Sequence, residues 1–426
     1  MKFINKWNYI FFLTLFILSS CSLGRSSQSS QCIPIRVGII LASEDSEKGL
    51  EQKKGYEMAL AEIQADGGIQ GCPIELVYEN EGEELDTQSA QVAIMQLAEQ
   101  NVLAIIGGTT NEATLNAATV AGYFKVPLII PSSTDDEITN VGNQWIFRLR
   151  ASNESDANTV FEMVRLGFGP EANIVILYEE TDFGESTAVV TASTIMSIGL
   201  NIAGYYSYSN QDSDFSSIIE EVNTTAPEVV YVISSDSEVA ANLYSLFKAD
   251  QVSYNLMIGD GPGFTERSFL YDGNQQIYEN LNNLVIVSDW SLDLPWTGMD
   301  KFVQDFSSFS QQNNYNYSVP VLRNVESYTS LKLLSNALSQ VTFPEQKGRN
   351  IQELSADDLK SVRESLASEL RNLDTANRDS LFGTVSFDGT GQNRQTPILV
   401  QVLNGEIVTI YPPRYAQESP VFNLGW

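Results

Sequence analysis

Short apolar runs alternate with amphipathic segments along most of this chain. The run Arg36–Leu41 is typical of a buried strand, and Gly49–Ala65 follows with apolar side chains at helical spacing, ended by Gly67 and Gly68. The alternation continues with strands at Ile74–Tyr78, Val102–Ile106, Pro127–Ile130 and Trp145–Leu149 and helices at Thr87–Glu99 and Asn111–Tyr123. This pattern predicts a parallel sheet covered by helices on both faces.

A second series of the same kind begins after Arg150. Its predicted helices are Ala157–Leu166, Glu185–Ile198, Phe215–Val222 and Val239–Lys248, and its strands are Asn173–Tyr178, Ile202–Tyr208, Val229–Ile233 and Leu256–Ile258. Residues 284–413 favour helices at Lys301–Gln311, Leu322–Leu338 and Asp358–Leu373 and a hairpin-like end. The chain therefore predicts a bilobed α/β protein with two doubly wound parallel sheets, in which ligands bind beyond the carboxyl ends of the strands.

The N-terminus has the pattern of an export signal. Lys2 and Lys6 precede the apolar run Tyr9–Leu18, which is about half the ~20 residues that a spanning helix needs. The following Leu-Ser-Ser-Cys ends at Cys21 and resembles a bacterial lipobox. We therefore predict a signal peptide over 1–20, a lipidated tether over 21–32, and an extracytoplasmic lipoprotein at a bacterial membrane; an ordinary signal peptide with a chance cysteine is the alternative.

Composition excludes several classes of protein. The chain contains no histidine, which removes Ser-His-Asp and Cys-His catalysis and histidine-ligated zinc, and we expect no enzyme, no metal and no cofactor. Its formal charge of −30 repels phosphate backbones, so we expect no nucleic-acid partner. The acidic run 79–86 lacks the spaced ligands of a calcium loop and predicts a solvated linker.

Two cysteines remain besides Cys21. Cys32 and Cys72 each precede a predicted strand, and an even pair in an oxidising compartment favours a disulfide. If the two strands are parallel neighbours, both cysteines lie at the same edge of the sheet. The alternative is a pair of free buried thiols.

Fragments spread along the chain carry a family resemblance. They are RVGII (36–40), GYEMA (55–59), DGGIQG (66–71), IGGTT (106–110), VPLIIPSST (126–134), IFRL (146–149), YEETDFG (178–184), IGDG (258–261) and GTVSFD (383–388). In this order and spacing, they resemble type I periplasmic binding proteins of the leucine/isoleucine/valine-binding family. These proteins are the solute receptors of ABC importers.

The resemblance implies two lobes joined by three hinge crossings, near Ala151, Asp289 and Gly383. One lobe would be 33–150 plus 290–382, the other 151–289 plus 383–413, with a tail over 414–426. A small solute, most simply an amino acid, would bind by closure of the cleft. An ABC permease and ATPase would be the protein partners, and the lipid anchor would be the sole contact with the membrane.

The first lobe offers candidate ligand groups at two strand ends. Backbone amides of the loop that leads to Thr110 and Asn111 would face the cleft and suit a carboxylate, although Asn111 is also a good helix N-cap. Ser132 resembles the family's carbonyl acceptor for the ligand ammonium. Ser133 belongs to the same segment, and Thr134 would supply a hydroxyl.

The second lobe offers three more candidates. Asp260 resembles the acidic partner of the ligand ammonium, with a turn aspartate as the alternative. Phe183 stands where the family often has a tyrosine, so it can stack on a ligand without hydrogen bonding. Ser235 lies at a strand end, where N-capping is the common role.

Two departures from the family and one other class remain open. Asn111 replaces a serine that often holds the ligand carboxylate. Lys48 lies near an aromatic position of the pocket, either as a cation for a second acid group or as a solvated charge. An envelope interaction lipoprotein that reuses this fold without a transported ligand is the alternative function. An empty or collapsed cleft that lacks the constellation of Thr110, Thr134 and Asp260 would favour it.

Overall fold

The computed structural model describes residues 32–82, 87–212, 214–249, 252–272, 275–344, 354–373 and 380–422. The predicted signal peptide, the lipidation site Cys21 and most of the tether lie outside these residues. None of the helices in the described ranges combines the length and the apolar character that crossing a bilayer requires.

The first sheet has five parallel strands among the described residues. They are β1 (Ile35–Leu41), β2 (Ile74–Asn80), β3 (Ile105–Ile106), β4 (Leu128–Ile130) and β5 (Ile146–Arg148). Their order is β2-β1-β3-β4-β5, so the direction of winding reverses between β1 and β3. The intervening helices are α1 (Glu47–Ala65), α2 (Thr87–Glu99), α3 (Asn111–Phe124) and α4 (Glu137–Asn140). Apolar side chains of all five strands are buried beneath these helices.

The second sheet follows the same logic and ends in a hairpin. In chain order its strands are β6 (Asn173–Glu179), β7 (Asn201–Tyr208), β8 (Val229–Ile233), β9 (Leu256–Asp260), β12 (Val285–Ser288), β13 (Ile398–Leu403) and β14 (Glu406–Tyr411). Between β9 and β12 the chain forms a separate antiparallel pair, β10 (Tyr271–Asp272) and β11 (Gln275–Gln276). The sheet order is β14-β13-β12-β9-β8-β6-β7. The hairpin strands β13 and β14 are antiparallel, and the other five strands are parallel.

Two sets of helices accompany this second half of the chain. The first set is α5 (Asn153–Phe168), α6 (Asp182–Ser197), α7 (Ser216–Thr225), α8 (Ser237–Ala249), α9 (Pro262–Thr265) and α10 (Arg267–Leu270), followed by a 3₁₀ turn at Tyr278–Leu281. The second set is α11 (Met299–Gln312), α12 (Leu322–Gln340) and α13 (Ala356–Arg371). We call the first sheet with α1–α4 and α11–α13 lobe 1, and the second sheet with α5–α10 lobe 2.

The predicted fold class, two doubly wound α/β lobes, is confirmed. Several strands differ from expectation, among them β3 and the unpredicted β10, β11 and β12. β3 is shorter than the predicted Val102–Ile106, although Leu103 still donates its N–H to β1 at 2.9 Å. The strand Val285–Ser288 was not predicted, because a short, fully buried run has no alternation that separates it from a buried helix.

α12 lies directly against α1 although 256 residues separate the end of α1 from the start of α12, and the close approach depends on a glycine. A Cβ atom at Gly55 would lie 2.3 Å from the backbone oxygen of Asn324. The side chain of Asn324 in turn donates to the backbone oxygen of Glu51 at 2.8 Å. Residues of the late helices thereby become part of the wall beside β1.

The predicted disulfide between Cys32 and Cys72 is confirmed. β1 and β2 are parallel neighbours with Ile35 opposite Ile74, so the two preceding cysteines meet at one edge of the sheet. Their Cα atoms are 5.2 Å apart, within the range that a disulfide spans.

Three segments near the predicted hinge positions are hydrogen-bonded to one another. Asp289 accepts the N–H of Ala151 at 3.2 Å, and Gln395 donates to the backbone oxygen of Asp289 at 3.1 Å. Gln392 donates to the backbone oxygen of Arg150 at 2.8 Å. The bonds of the third segment thus involve residues beyond Gly383. The lobe boundaries themselves stay a prediction.

Candidate functional site

A cavity of about 360 Å³ lies where the carboxyl ends of the two sheets face each other. Lobe 1 contributes residues that follow β3, β4 and β5, and lobe 2 contributes residues at the ends of β6, β8 and β9. The winding of each sheet reverses here, between β1 and β3 and between β6 and β8. Doubly wound sheets bind their ligands at such reversals, so this cavity is the candidate site.

Most of the predicted ligand-binding residues come together in this cavity. Its walls include Thr110, Asn111, Ser132, Thr134, Phe183, Ser235 and Asp260. Ser133 is not part of the lining, because its buried hydroxyl lies 2.9 Å from the carbonyl oxygen of Thr110 and 2.6 Å from the hydroxyl of Thr114. Ser133 therefore joins the β4 loop to α3. A second, mostly apolar cavity of about 290 Å³ is lined by other residues.

The loop after β3 is held by Glu81, a nearly fully buried carboxylate that follows β2. Glu81 accepts the backbone N–H groups of Thr109 at 2.8 Å and Thr110 at 2.9 Å, and also the Thr110 hydroxyl at 2.9 Å. The prediction that this acidic run is a solvated linker is wrong for Glu81, because three donors compensate its burial. The backbone N–H groups of Thr109 and Thr110 are therefore already bonded within the protein, to Glu81.

Asn111 and Thr134 form the remaining donor surface of lobe 1. Thr110 occupies the N-cap position of α3, so Asn111 does not serve as the cap. The Oδ1 atom of Asn111 accepts the N–H of Thr134 at 3.1 Å, and its buried Nδ2 has no hydrogen-bond partner among the described residues. Thr134 lines the cavity beside Asn111, whose carboxamide N–H is buried and unpartnered among the described residues, and both the hydroxyl and the N–H suit a carboxylate.

Asp260 is the acidic group on the opposite wall. It ends β9 and is 5% exposed, and the hydroxyl of Tyr231 on β8 donates to its carboxylate. Burial raises the pKa of Asp260, while Tyr231, Arg150 and the N–H of Gly261 oppose that shift without reversing it. A cation beside this carboxylate replaces the hydration that burial removes.

Arg150 lines the cavity next to the first hinge segment. Its Nε lies 2.6 Å from Asp289 and 3.6 Å from Glu326, and Glu326 also accepts the hydroxyl of Ser132 at 2.6 Å. Burial by itself lowers the pKa of Arg150, but the two carboxylates raise it by a larger amount, so the net shift of the pKa is upward. Arg150 therefore remains charged and links two of the three hinge segments to α12.

Charges at the ends of α1 and α12 connect the two lobes. Glu266, which precedes α10 of lobe 2, lies 2.9 Å from Nη2 of Arg323 and 3.5 Å from Nζ of Lys48, both of lobe 1. Arg323 Nε is also 3.5 Å from Glu51. Burial raises the pKa of Glu51 to about 8, and its oxygens accept no hydrogen bond from the described residues. Lys48 lines the cavity, and its role toward a ligand stays a prediction.

Glu179 supports lobe 2 as Glu81 supports lobe 1. This fully buried carboxylate accepts the N–H of Ser235 at 2.7 Å and the hydroxyl of Thr181 at 2.8 Å. Thr181 also caps α6 by accepting the N–H of Gly184 at 3.1 Å, which places Phe183 in the first turn beside the cavity. The ring of Phe183 can pack against a ligand but cannot hydrogen-bond to one.

Sequence reasoning missed the charged residues beneath the cavity. Arg150 directly follows a predicted strand and precedes a predicted hinge, which is a usable signal. Glu81 and Glu179 each stand at the carboxyl end of an apolar run, where a buried acid looks like any solvated one. Arg323 and Glu326 lie on a helix remote in sequence, so nothing local marks them.

Two doubly wound lobes, three hydrogen-bonded hinge segments and a polar cleft between the carboxyl ends of both sheets define a type I solute-binding fold. The cleft is open and is lined by Thr110, Thr134 and Asp260, which is the opposite of what the interaction-protein alternative predicts. The chain belongs to the periplasmic binding protein family, whose model matches residues 34–406. This family consists of solute-binding proteins rather than enzymes.

Curated relatives agree with this assignment. The chain is 24% identical over 381 residues to the Leu/Ile/Val-binding protein homolog 7 of Brucella abortus, covering 85% of this chain and 87% of the relative. It is also 24% identical over 385 residues to homolog 8 of the same organism, covering 86% and 87%. The resemblance found in the sequence fragments is thereby confirmed.

Solved structures show the same fold. An isoleucine complex of the branched-chain amino acid transporter substrate-binding protein of Streptococcus pneumoniae matches with a TM-score of 0.68 and 21% identity, over 89% of this chain and 100% of that chain. A leucine-binding protein of Thermotoga maritima matches with a TM-score of 0.69 and 18% identity, over 88% and 98%. An R. palustris solute-binding protein in complex with benzoate matches with a TM-score of 0.69 and 17% identity, over 92% and 100%.

Proposed function

We propose that this chain is the lipid-anchored receptor of an ABC importer and that it binds an amino acid zwitterion in its cleft. The observation that carries the proposal is that donor groups and an acidic group face one cavity from opposite lobes. Asn111 and Thr134 of lobe 1 suit the carboxylate, and Asp260 of lobe 2 suits the ammonium. Relatives named for leucine, isoleucine and valine binding support an amino acid as the solute.

Closure follows from the position of these groups. A ligand that touches Thr134 and Asp260 at once makes its full set of contacts when the lobes are together, so it stabilises the closed form by its extra affinity for that form. The hydrogen-bonded hinge segments at Ala151, Asp289 and Gln392 provide the axis of that motion. The closed form is the one that an ABC permease would recognise.

A calorimetric titration of the full chain with the twenty amino acids tests the ligand class. A ligand present at about 100 times its dissociation constant stabilises the fold by about 2.7 kcal/mol, so a thermal-shift screen finds it first. Asp260→Asn should weaken binding at least about tenfold, because it leaves a buried cation unpaired. Asp272→Asn, an exposed aspartate outside the cavity, is the matched control and should bind normally.

Two results would reject this proposal. One is the absence of binding by every amino acid of the panel, and the other is a ligand whose binding Asp260→Asn leaves unchanged.

The lipid anchor has its own test: Cys21→Ser should move the protein from the membrane fraction to the extracytoplasmic soluble fraction and abolish labelling by fatty acid. Unchanged fractionation would show that another element holds the protein.

A further inference from the structure

The walls of the cleft are poor in apolar side chains. Among the described residues that line it, Phe183 and Pro262 are the apolar ones, and the rest are polar or charged apart from Gly261. A leucine or isoleucine side chain gains its affinity from apolar contact and would here remove hydration from charged groups without pairing them. Few of its side chains are therefore dedicated to contact with an aliphatic ligand side chain.

Two buried arginines border a small recess of the cleft. The recess has a volume of about 20 Å³ and shares Thr109, Ser132, Arg150, Pro262 and Arg323 with the main cavity. A water-sized group needs about 10–15 Å³, so the recess accepts a single polar atom, such as one oxygen of a carboxylate or carboxamide. Glu266 and Glu326 also line it, so each arginine there already faces a carboxylate.

Each of the two arginines has N–H groups without a hydrogen-bond partner among the described residues. Arg150 bonds its carboxylate partner through Nε, and its terminal nitrogens make no hydrogen bond to any residue in the described ranges. Arg323 is 7% exposed, and its Nη2 donates to Glu266. Its buried Nε lies 3.5 Å from Glu51 and has no hydrogen-bond partner in the described part of the chain. Lys48 stands beside them through its contact with the same Glu266. A planar acceptor group matches such guanidinium donors.

On the basis of the proposed function, we infer that the bound amino acid has a side chain ending in acceptor oxygens, a carboxylate or a carboxamide, held by Arg150 and Arg323 with Lys48 nearby. The carboxylates Glu112, Glu180 and Asp182 also line the cleft and are the groups that a basic side chain would meet. All three are exposed and solvated, so a cation gains little from them. The buried donors decide the preference.

Competition calorimetry on the full chain with glutamate, glutamine, leucine and lysine tests this inference. Glutamate or glutamine should bind at least about tenfold more tightly than leucine and lysine, as the loss of one charge-assisted hydrogen bond implies. A preference for glutamate over glutamine identifies the carboxylate as the side-chain group, and the reverse identifies the carboxamide. Both orders support the inference.

Variants of α1 supply the readout that separates the recess from general folding. Lys48→Met should weaken glutamate several-fold more than leucine. Lys53→Met on the same helix, where Lys53 pairs with Glu44 at 2.6 Å away from the cavity, should change neither. Equal effects of Lys48→Met on glutamate and leucine would overturn the inference.

The outcomes distinguish this inference from the proposed function. Tight binding of leucine or lysine that Asp260→Asn abolishes would overturn the inference and leave an amino acid receptor. Absence of binding by every amino acid would overturn both.

Discussion

Replacing Glu51 by glutamine should stabilise the protein at neutral pH. Glu51 is 1% exposed. Nε of its partner Arg323 lies 3.5 Å away, and neither carboxylate oxygen of Glu51 accepts a hydrogen bond from the described residues. Burial therefore outweighs the attraction of Arg323, and Glu51 keeps its proton in the folded state. Glutamine has the shape of that neutral acid and removes the cost of protonating it.

The magnitude follows from the pKa of Glu51, about 8 in the folded chain against an ordinary value of 4.5. Between these values the folded state holds one proton that the unfolded state has lost, so stability falls as pH rises by about 1.4 kcal/mol per pH unit. This penalty is absent below about pH 4.5 and reaches roughly 3 kcal/mol at pH 7. Glu51→Gln should recover that amount at pH 7 and almost none near pH 4.5.

Urea denaturation of the two proteins at several pH values measures the difference directly. Glu62→Gln on the same helix is the matched control, because Glu62 is half-exposed and paired with Lys332 at 3.1 Å; it should lose at most about 1 kcal/mol. A loss of stability in Glu51→Gln at pH 7 would refute the reasoning. It would mean that Glu51 is ionised and that its pairing with Arg323 outweighs burial.

Three further predictions concern the site and its support. Binding of the amino acid should strengthen as pH rises through the raised pKa of Asp260, and calorimetry on Asp260→Asn should show that this dependence is gone; an unchanged pH profile would contradict the assigned partner. Cys72→Ser opens a disulfide that spans 40 residues and should cost about 4 kcal/mol in urea denaturation, whereas a loss below about 1 kcal/mol would show that the crosslink constrains little. Gly184→Ala puts a Cβ 2.0 Å from the carbonyl oxygen of Glu179 and should lower stability by about 1–3 kcal/mol; a melting temperature equal to that of the unchanged chain would disprove the close approach.

The hydrophobic pattern predicts most of the fold because each buried face repeats at the period of its element. The helix Thr87–Glu99 and the strand Val229–Ile233 have the predicted bounds. Strand ends then place the polar candidates at one edge of each sheet, which is why Thr134 and Asp260 line the same cavity. Local pattern and sheet topology together suffice for these features.

The charged part of the cleft depends on contacts that local patterns do not contain. Arg150 and Asp289 are 139 residues apart in the chain, and Arg323 and Glu266 are 57 apart. Their pairing follows from where α12 and the hinge segments lie, and a one-dimensional pattern does not fix that. Glu81 was missed for a different reason, because its neighbours in sequence are also acidic and give no sign of its burial.

The two buried carboxylates Glu81 and Glu179 have a kinetic consequence. Each ties down the backbone of a cleft loop through the protein's own hydrogen bonds, before any solute arrives. Ordering a free loop costs roughly 1–2 kcal/mol per residue in backbone entropy, and here that cost is met during folding. Solute capture then requires rotation of two preformed surfaces rather than loop ordering, so association should be fast and differences in affinity among solutes should appear in the rate of release.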